Sequence, residues 1–255
     1  MAVTDHIMVT GESLVTAYHT SLVALRKEGR IVECPAWNTR CIETAMTMHI
    51  QHPLQEPMIS GLSICEPYSL EKYRLEMLNG LLDWAIEAGL EPYTYHRRYE
   101  VQYEAAIAEL RRDPNSRRAA MTVRYPDDWT IGDPPCLQHI QFMIRDGALN
   151  CYVVFRSNDA AKAAFMNMFA LAMLQKKAAE ELEIPVGTML YTANSYHCYE
   201  RDWETLDAYV QAIEEGTAAT YSYEDDWREM MDYDRAQIYA DVQRQKQNAE
   251  DRAGV

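Results

Sequence analysis

No apolar run in the 255-residue chain reaches the ~18 residues that a membrane-spanning helix needs. No stretch rich in proline, glycine or serine divides it, and no segment repeats. A single domain with one well-buried core is expected over residues 1–220, with a polar helical tail over 221–255. The opening MAVTDHIMVTGESLV lacks the basic segment and apolar stretch of a secretory signal, which predicts a cytoplasmic protein. None of the six cysteines (34, 41, 65, 136, 151 and 198) sits in a C-x-x-C pair, so they read as free thiols. The pair His49 and His52 has no acidic or cysteine company, and no metal centre is expected. Basic residues are scarce: 24 Lys and Arg face 39 Asp and Glu, a net charge of −15. That balance excludes a large nucleic-acid footprint. Much of the excess lies late, in YSYEDDWREMMDYD, and reads as a solvated face. An anionic substrate would need local arginines of its own.

What is present is a mixture of helix and strand periodicities without regular βαβ alternation. Helices are predicted over GESLVTAYHTSLVALRKEG, over SLEKYRLEMLNGLLDWAIEAG (capped by Ser69 and kinked at Gly80), and over YEVQYEAAIAELRRD. A long helix, apolar nearly all round for four turns, is predicted from a cap at Asn158 or Asp159 to about residue 182. A last helix covers DWETLDAYVQAIEEG. Strands are predicted over IETAMTMHI, RRAAMTVRY and GTMLYTANSYHCY. CLQHIQFMIRD and DGALNCYVVFRS make a hairpin that turns at Asp146-Gly147. The fold class is α+β, a large mixed sheet packed by helices.

Four groups of residues could carry chemistry. Cys136 follows Pro134-Pro135, which pin the backbone and remove two donors. A reactive cysteine needs a nearby cation or donors, and an antiparallel hairpin returns Arg156 to about the level of Cys136. An inert buried cysteine is the alternative. Asn167 lies on a helical stripe with Ala163, Ala170, Leu171 and Leu174. An amide there must find partners or cost about 1–3 kcal/mol. It bonds either a core carbonyl or the edge of a polar ring. Arg117 and Arg118 at a strand start form either a solvated surface pair or a phosphate grip. His197 and Tyr199 share one side of a strand and could hold a sugar hydroxyl between them, or simply pack in the core.

Taken together, the pieces YTYHRRY, AELRRDPNSRR, DPPCLQHIQFMIRDG, FRSND with Asn167 eight residues on, and SYHCYERDW resemble the thymidylate synthase family, including its pyrimidine hydroxymethylase and archaeal-type branches. The resemblance runs from about residue 68 to 205. It implies a homodimer with a sheet face as interface, a pyrimidine nucleoside monophosphate as substrate, and a methylenetetrahydrofolate or related pterin as cosubstrate. It implies no metal, no nucleic acid and no membrane. By the resemblance, Cys136 is the nucleophile that adds to carbon 6 of the pyrimidine. Arg156 contacts phosphate and favours the thiolate, and Ser157 is a further phosphate ligand. Arg117 and Arg118 come from the other subunit. Gln141 stands beside the nucleophile, Asp159 holds the pterin ring, and Asn167 reads the pyrimidine edge. His197 and Tyr199 bind the ribose 3′-hydroxyl, and Tyr95 stands near the proton-removal step.

The chain also departs from the family pattern. Leu137 replaces a histidine after the nucleophile, and Asn158 follows Arg156-Ser157 as in the hydroxymethylase and archaeal-type forms. Tyr73 stands at the position of the usual catalytic glutamate, with Glu71 and Glu76 nearby. In CPAWNTR, where the family's N-terminal phosphate arginine would fall, Arg40 is the one arginine. The closing C-terminal segment is not recognisable. An amide at 167 satisfies both a carbonyl and a ring N–H, as uracil requires. That points to dUMP, and the family's usual reaction makes conversion of dUMP to dTMP the expected activity. The alternatives are hydroxymethylation of dUMP, dCMP or CMP, and a nucleotide-binding homologue without turnover.

Overall fold

A computed structural model describes residues 6–63 and 66–253. Cys65 lies outside the described residues. In chain order the elements are β1 (His6–Gly11), α1 (Leu14–Glu28), β2 (Arg30–Cys34), β3 (Thr39–Ile50), β4 (Ile59–Ser60), α2 (Pro67–Asn79), α3 (Trp84–Glu87) and α4 (Tyr95–Arg112). There follow β5 (Ala120–Thr122), β6 (Leu137–Arg145), β7 (Ala148–Phe155), β8 (Asn158–Asp159), α5 (Ala164–Glu181), β9 (Val186–Tyr199), α6 (Trp203–Glu214), β10 (Thr220–Tyr221) and α7 (Arg228–Ala253).

The main sheet has eight strands in the order β1-β3-β9-β7-β6-β5, with β2 added to β3 and β8 to β9. β1 runs parallel to β3, and β9 runs parallel to β7; the pairs β3–β9, β6–β7 and β5–β6 are antiparallel. The mixed α+β architecture expected from the periodicities is the one observed. No described helix is long and apolar enough to cross a membrane.

The core lies where α5 and its neighbours meet the sheet. Thirteen of the eighteen residues of α5 are buried, from Ala164 to Ala179, as its all-round apolar pattern requires. Asn167 is carried inside on that helix at 5% exposure. Asp146 and Gly147 both adopt positive φ (52° and 77°) in the turn between β6 and β7, a conformation to which this dipeptide is suited.

Three local expectations are corrected. The 69–89 helix is two: Gly80 takes φ +64° and donates its N–H to the Leu75 carbonyl, which ends α2, and a single turn, α3, follows. Glycine reaches this left-handed cap without a Cβ penalty, so it terminates the helix rather than kinking it. Ser69 is inside α2, whose cap is Glu66 with Pro67 at the first helical position. Neither Asn158 nor Asp159 caps α5. They form β8 on the edge of β9, and Ala163 precedes the helix. Asp159 does accept backbone N–H groups, from Ala161 (3.0 Å) and Lys162 (3.1 Å), but in the turn ahead of α5.

The late acidic segment enters a helical turn at Tyr223–Trp227 and then α7, which docks on α2. Ile238 and Val242, one turn apart, pack with Leu75 and Leu81. Arg235 reaches the buried Glu71 carboxylate at 2.8 Å, and Tyr68 donates to Asp241 at 2.6 Å.

Candidate active site

Cys136 sits between the Pro134-Pro135 turn and the first residue of β6. Its carbonyl accepts the Arg156 backbone N–H at 2.8 Å, so the hairpin brings the two residues level. The Arg156 guanidinium folds back over the same turn. It donates to the carbonyls of Pro134 (2.6 Å) and Pro135 (3.1 Å) and pairs with Asp133 at 3.0 Å. The prolines, which have no N–H to give, thus serve as acceptors that aim the arginine.

These residues open onto a cavity of about 730 Å³. Its lining includes Tyr95, Cys136, Arg156, Ser157, Asp159, Asn167, His197 and Tyr199. Eight residues marked from sequence, spread over more than a hundred positions, therefore share one cavity. Parallel pairing explains part of the convergence: β8 lies along the end of β9, which sets Asp159 opposite His197. His197 meets Tyr199 edge-on, ring centres 4.8 Å apart. Asn167 enters from one turn inside α5.

Gln141, Arg117 and Arg118 do not line this cavity. Gln141 donates its amide to the Arg117 carbonyl at 2.9 Å, on the β5 side of β6. The Arg117 and Arg118 side chains are exposed, and Arg118 approaches Glu109 at 3.3 Å. Arg40 is also outside the lining and pairs with Glu200 at the end of β9.

Burial pushes the Cys136 thiol up from its ordinary value; the Arg156 charge pulls it back, Asp133 raises it, and a hydrogen bond to Tyr95 lowers it. The thiol is thus held protonated by desolvation, with Arg156 opposing. Tyr95 is shifted far upward by burial, then by Cys136, and stays protonated. Its oxygen accepts the Leu137 N–H at 3.4 Å, beside the sulfur. Asp159 is raised by burial and restrained by His197 and by the two N–H groups it accepts.

The two carboxylates near Tyr73 separate cleanly. Glu71 is 1% exposed and held by Arg74 (2.6 and 2.7 Å) and Arg235, inside the contact with α7. Glu76 lines the cavity, and burial pushes its carboxyl up to about 6. Tyr73 also lines the cavity and donates its hydroxyl to Asn167 Oδ1.

The motif reading passed over Trp37, Glu91, Tyr93 and Asp133, which complete the lining with others. Asp133 belongs to the DPPC run and was legible there as a neighbour of Cys136. Trp37 had no such signal; the β2–β3 turn carries it to the cavity mouth, where it is 60% exposed. Among the described residues no group of three or more His, Cys, Asp or Glu is placed to hold a metal ion.

The model of the thymidylate synthase family matches residues 82–247. A protein of Methanocaldococcus jannaschii named "Putative thymidylate synthase" is 30% identical over 214 residues, which cover 77% of this chain and 93% of that protein. One of the same name from Methanosarcina barkeri is 24% identical over 212 residues, 81% of this chain and 95% of its own length. Among solved structures, the thermostable thymidylate synthase A from Bacillus subtilis superposes with a TM-score of 0.62 at 17% identity, over 78% of this chain and 84% of that one. At that identity the likeness is one of fold.

Proposed function

The chain belongs to the thymidylate synthase family, and from that premise we propose that it transfers a one-carbon unit to carbon 5 of dUMP, giving dTMP, through a covalent adduct on Cys136. The observation that supports this most is the meeting of Cys136, Arg156, Asn167, His197 and Tyr199 in one cavity.

Carbon 5 of uracil is too weak a nucleophile to take a one-carbon unit unaided. Addition of the Cys136 sulfur at carbon 6 places an enolate across carbons 4 and 5, and carbon 5 then becomes nucleophilic. Arg156 and Ser157 hold the phosphate dianion, whose arrival draws the guanidinium away from Asp133. Asn167 donates to the ring carbonyl on which charge develops. His197 and Tyr199 orient the sugar through its hydroxyl. Glu76, ionised in most molecules above pH 6, is a lining carboxylate able to take and return a proton here, a role that Tyr73 and Tyr95, which stay protonated, do not fill.

The cavity volume accommodates two ring systems, and Trp37, Tyr93 and Asp159 fit a pterin, by aromatic faces and a carboxylate for ring N–H groups. When bound, methylenetetrahydrofolate or a related pterin supplies the one-carbon unit and the hydride that makes it a methyl group. Arg117 and Arg118, exposed and outside the cavity of their own chain, suit a homodimer in which each subunit gives them to its partner's phosphate site.

Hydroxymethylation is the second reading. It is supported by Asn158, a residue shared with hydroxymethylase and archaeal-type forms, which lines the cavity and accepts from Tyr191 at 2.8 Å. Mass spectrometry of the nucleotide formed from dUMP and methylenetetrahydrofolate separates the two. A gain of one methyl group is expected. A hydroxymethyl product would replace the first reading by the second, and no release of tritium from carbon 5 of labelled dUMP would remove both.

A further inference from the structure

Two thiols outside the cavity are set against each other. The Cys34 and Cys41 sulfurs are 3.2 Å apart, and Cys34 donates to Cys41. The register explains how: Cys34 faces Thr39 and Cys41 faces Val32 across the β2–β3 hairpin. The cysteines are therefore diagonal neighbours on one face, which the right-handed twist draws together. A disulfide bond is ~2.05 Å long, so closing it needs about 1 Å of further approach. The two differ in access. Cys41 is 1% exposed, whereas Cys34 is only partly buried. Burial, and then the hydrogen bond with Cys34, pushes the Cys41 thiol up to about 12.

The pair brackets a functional segment. Between the two cysteines lie Pro35–Trp37 in a tight turn, Asn38 in the left-handed region (φ 49°), and Arg40. Trp37 lines the cavity mouth. Tyr199, another lining residue, faces Cys41 across β3 and β9.

We propose that Cys34 and Cys41 are a thiol–disulfide modification site, oxidised by small disulfides of the glutathione class, and that the resulting ring locks the loop bearing Trp37. In the first step the Cys34 thiolate attacks the small disulfide. One sulfur–sulfur bond forms, one breaks, and a small thiolate leaves and takes up a proton. In the second, Cys41 gives its proton to solvent and attacks Cys34 Sγ, expelling the second small thiol. Two protein thiols are oxidised and one disulfide is reduced to two thiols. Cys34 is the entry point because it is reached by solvent, and Cys41 resolves it because the two sulfurs are already in contact.

The test does not depend on the catalytic reading. The full chain carrying Cys136→Ser, which removes the cavity thiol, is equilibrated with oxidised glutathione, alkylated and digested with trypsin. Cleavage after Arg30, Arg40 and Lys72 puts Cys34 in one peptide and Cys41 with Cys65 in the next, and fragmentation of the linked pair tells Cys41 from Cys65. The expected result is a linked pair of those peptides, lighter by two hydrogens than their sum and released by dithiothreitol. Hydrogen exchange over residues 36–38 should slow by about threefold or more in the oxidised chain. The further substitution Cys34→Ser should abolish both effects. A stable mixed disulfide at Cys34 alone, or a link from either cysteine to Cys65 or Cys198, would overturn the pairing. A linked pair with unchanged exchange would overturn the locking of the loop.

Discussion

The Tyr73 hydroxyl donates to the Asn167 carboxamide oxygen, joining α2 to α5 at the wall of the cavity. Burial holds the Tyr73 phenol far above its ordinary value, so it remains a donor. On the proposed binding mode, Tyr73 occupies Oδ1 and leaves the Asn167 NH₂ to meet the base. A base that presents a carbonyl at that edge is satisfied, and one that presents an amine meets two donors. Tyr73→Phe is therefore expected to lower kcat/KM for dUMP about tenfold, the scale of one hydrogen bond, with a smaller effect on dCMP. Tritium release from carbon 5 of each nucleotide measures the ratio. An equal loss on both would show that Tyr73 acts on packing alone.

Asp133 competes for Arg156 and raises the Cys136 thiol. Asp133→Asn removes an anion beside the sulfur, so the thiolate fraction at pH 8 rises. Alkylation of Cys136 by iodoacetamide should speed up by about two- to fivefold. Cys136→Ser should show no alkylation at this site and no tritium release. A rate unmoved by Asp133→Asn would mean that the Asp133 charge does not reach the sulfur, either directly or through Arg156.

Glu76 carries a pH signature. Its folded value of about 6 lies above the usual carboxylate value of 4.5. A raised acid favours the folded state while protonated, below pH 4.5, and that advantage is lost as pH rises through 6. At pH 7 the ionised group costs up to about 2 kcal/mol. Glu76→Gln should thus raise the melting temperature at pH 7, with the gain shrinking to nothing near pH 4, while tritium release falls by about a hundredfold. Lower stability at pH 7 would contradict the buried carboxylate.

The tail is fastened through Glu71, which Arg74 and Arg235 both hold. Arg235→Ala leaves Arg74 in place but removes one of two cations from a buried carboxylate. A loss of about 1–3 kcal/mol is expected in urea denaturation. Because α2 also presents Tyr73 and Glu76, turnover should fall with it. A change within about 0.5 kcal/mol would show that Arg235 adds little to the hold on α7, which then rests on contacts such as Ile238, Val242 and the Tyr68–Asp241 bond.

Sharing of arginines between subunits has a direct test. Arg118→Ala and Cys136→Ser chains, each inactive, should regain about a quarter of normal activity when mixed and re-equilibrated as dimers. Each heterodimer then holds one complete site. Absence of any recovery would place Arg118 in its own chain's site, and activity of the unmixed Arg118→Ala chain would place it outside the site altogether.

The sequence by itself determined the long helices, the central strands and the hairpin at Asp146-Gly147, because hydrophobic period and turn chemistry are local, and through the family resemblance it marked eight residues of the cavity; the short and edge strands β1, β2, β4, β8 and β10 carried no such signal. Local pattern misled where a neighbour intervened. Asn158 and Asp159 resemble a helix cap, yet β9 offers them a strand partner, and Gly80 looked like a kink because its left-handed cap depends on the turn that follows. Only the tertiary structure decided that Glu76 rather than Glu71 reaches the cavity, that Trp37 stands at its mouth, and that Cys34 meets Cys41. Burial, charge pairing and side-chain meeting are properties of packed surfaces, and these surfaces come from segments far apart in the chain.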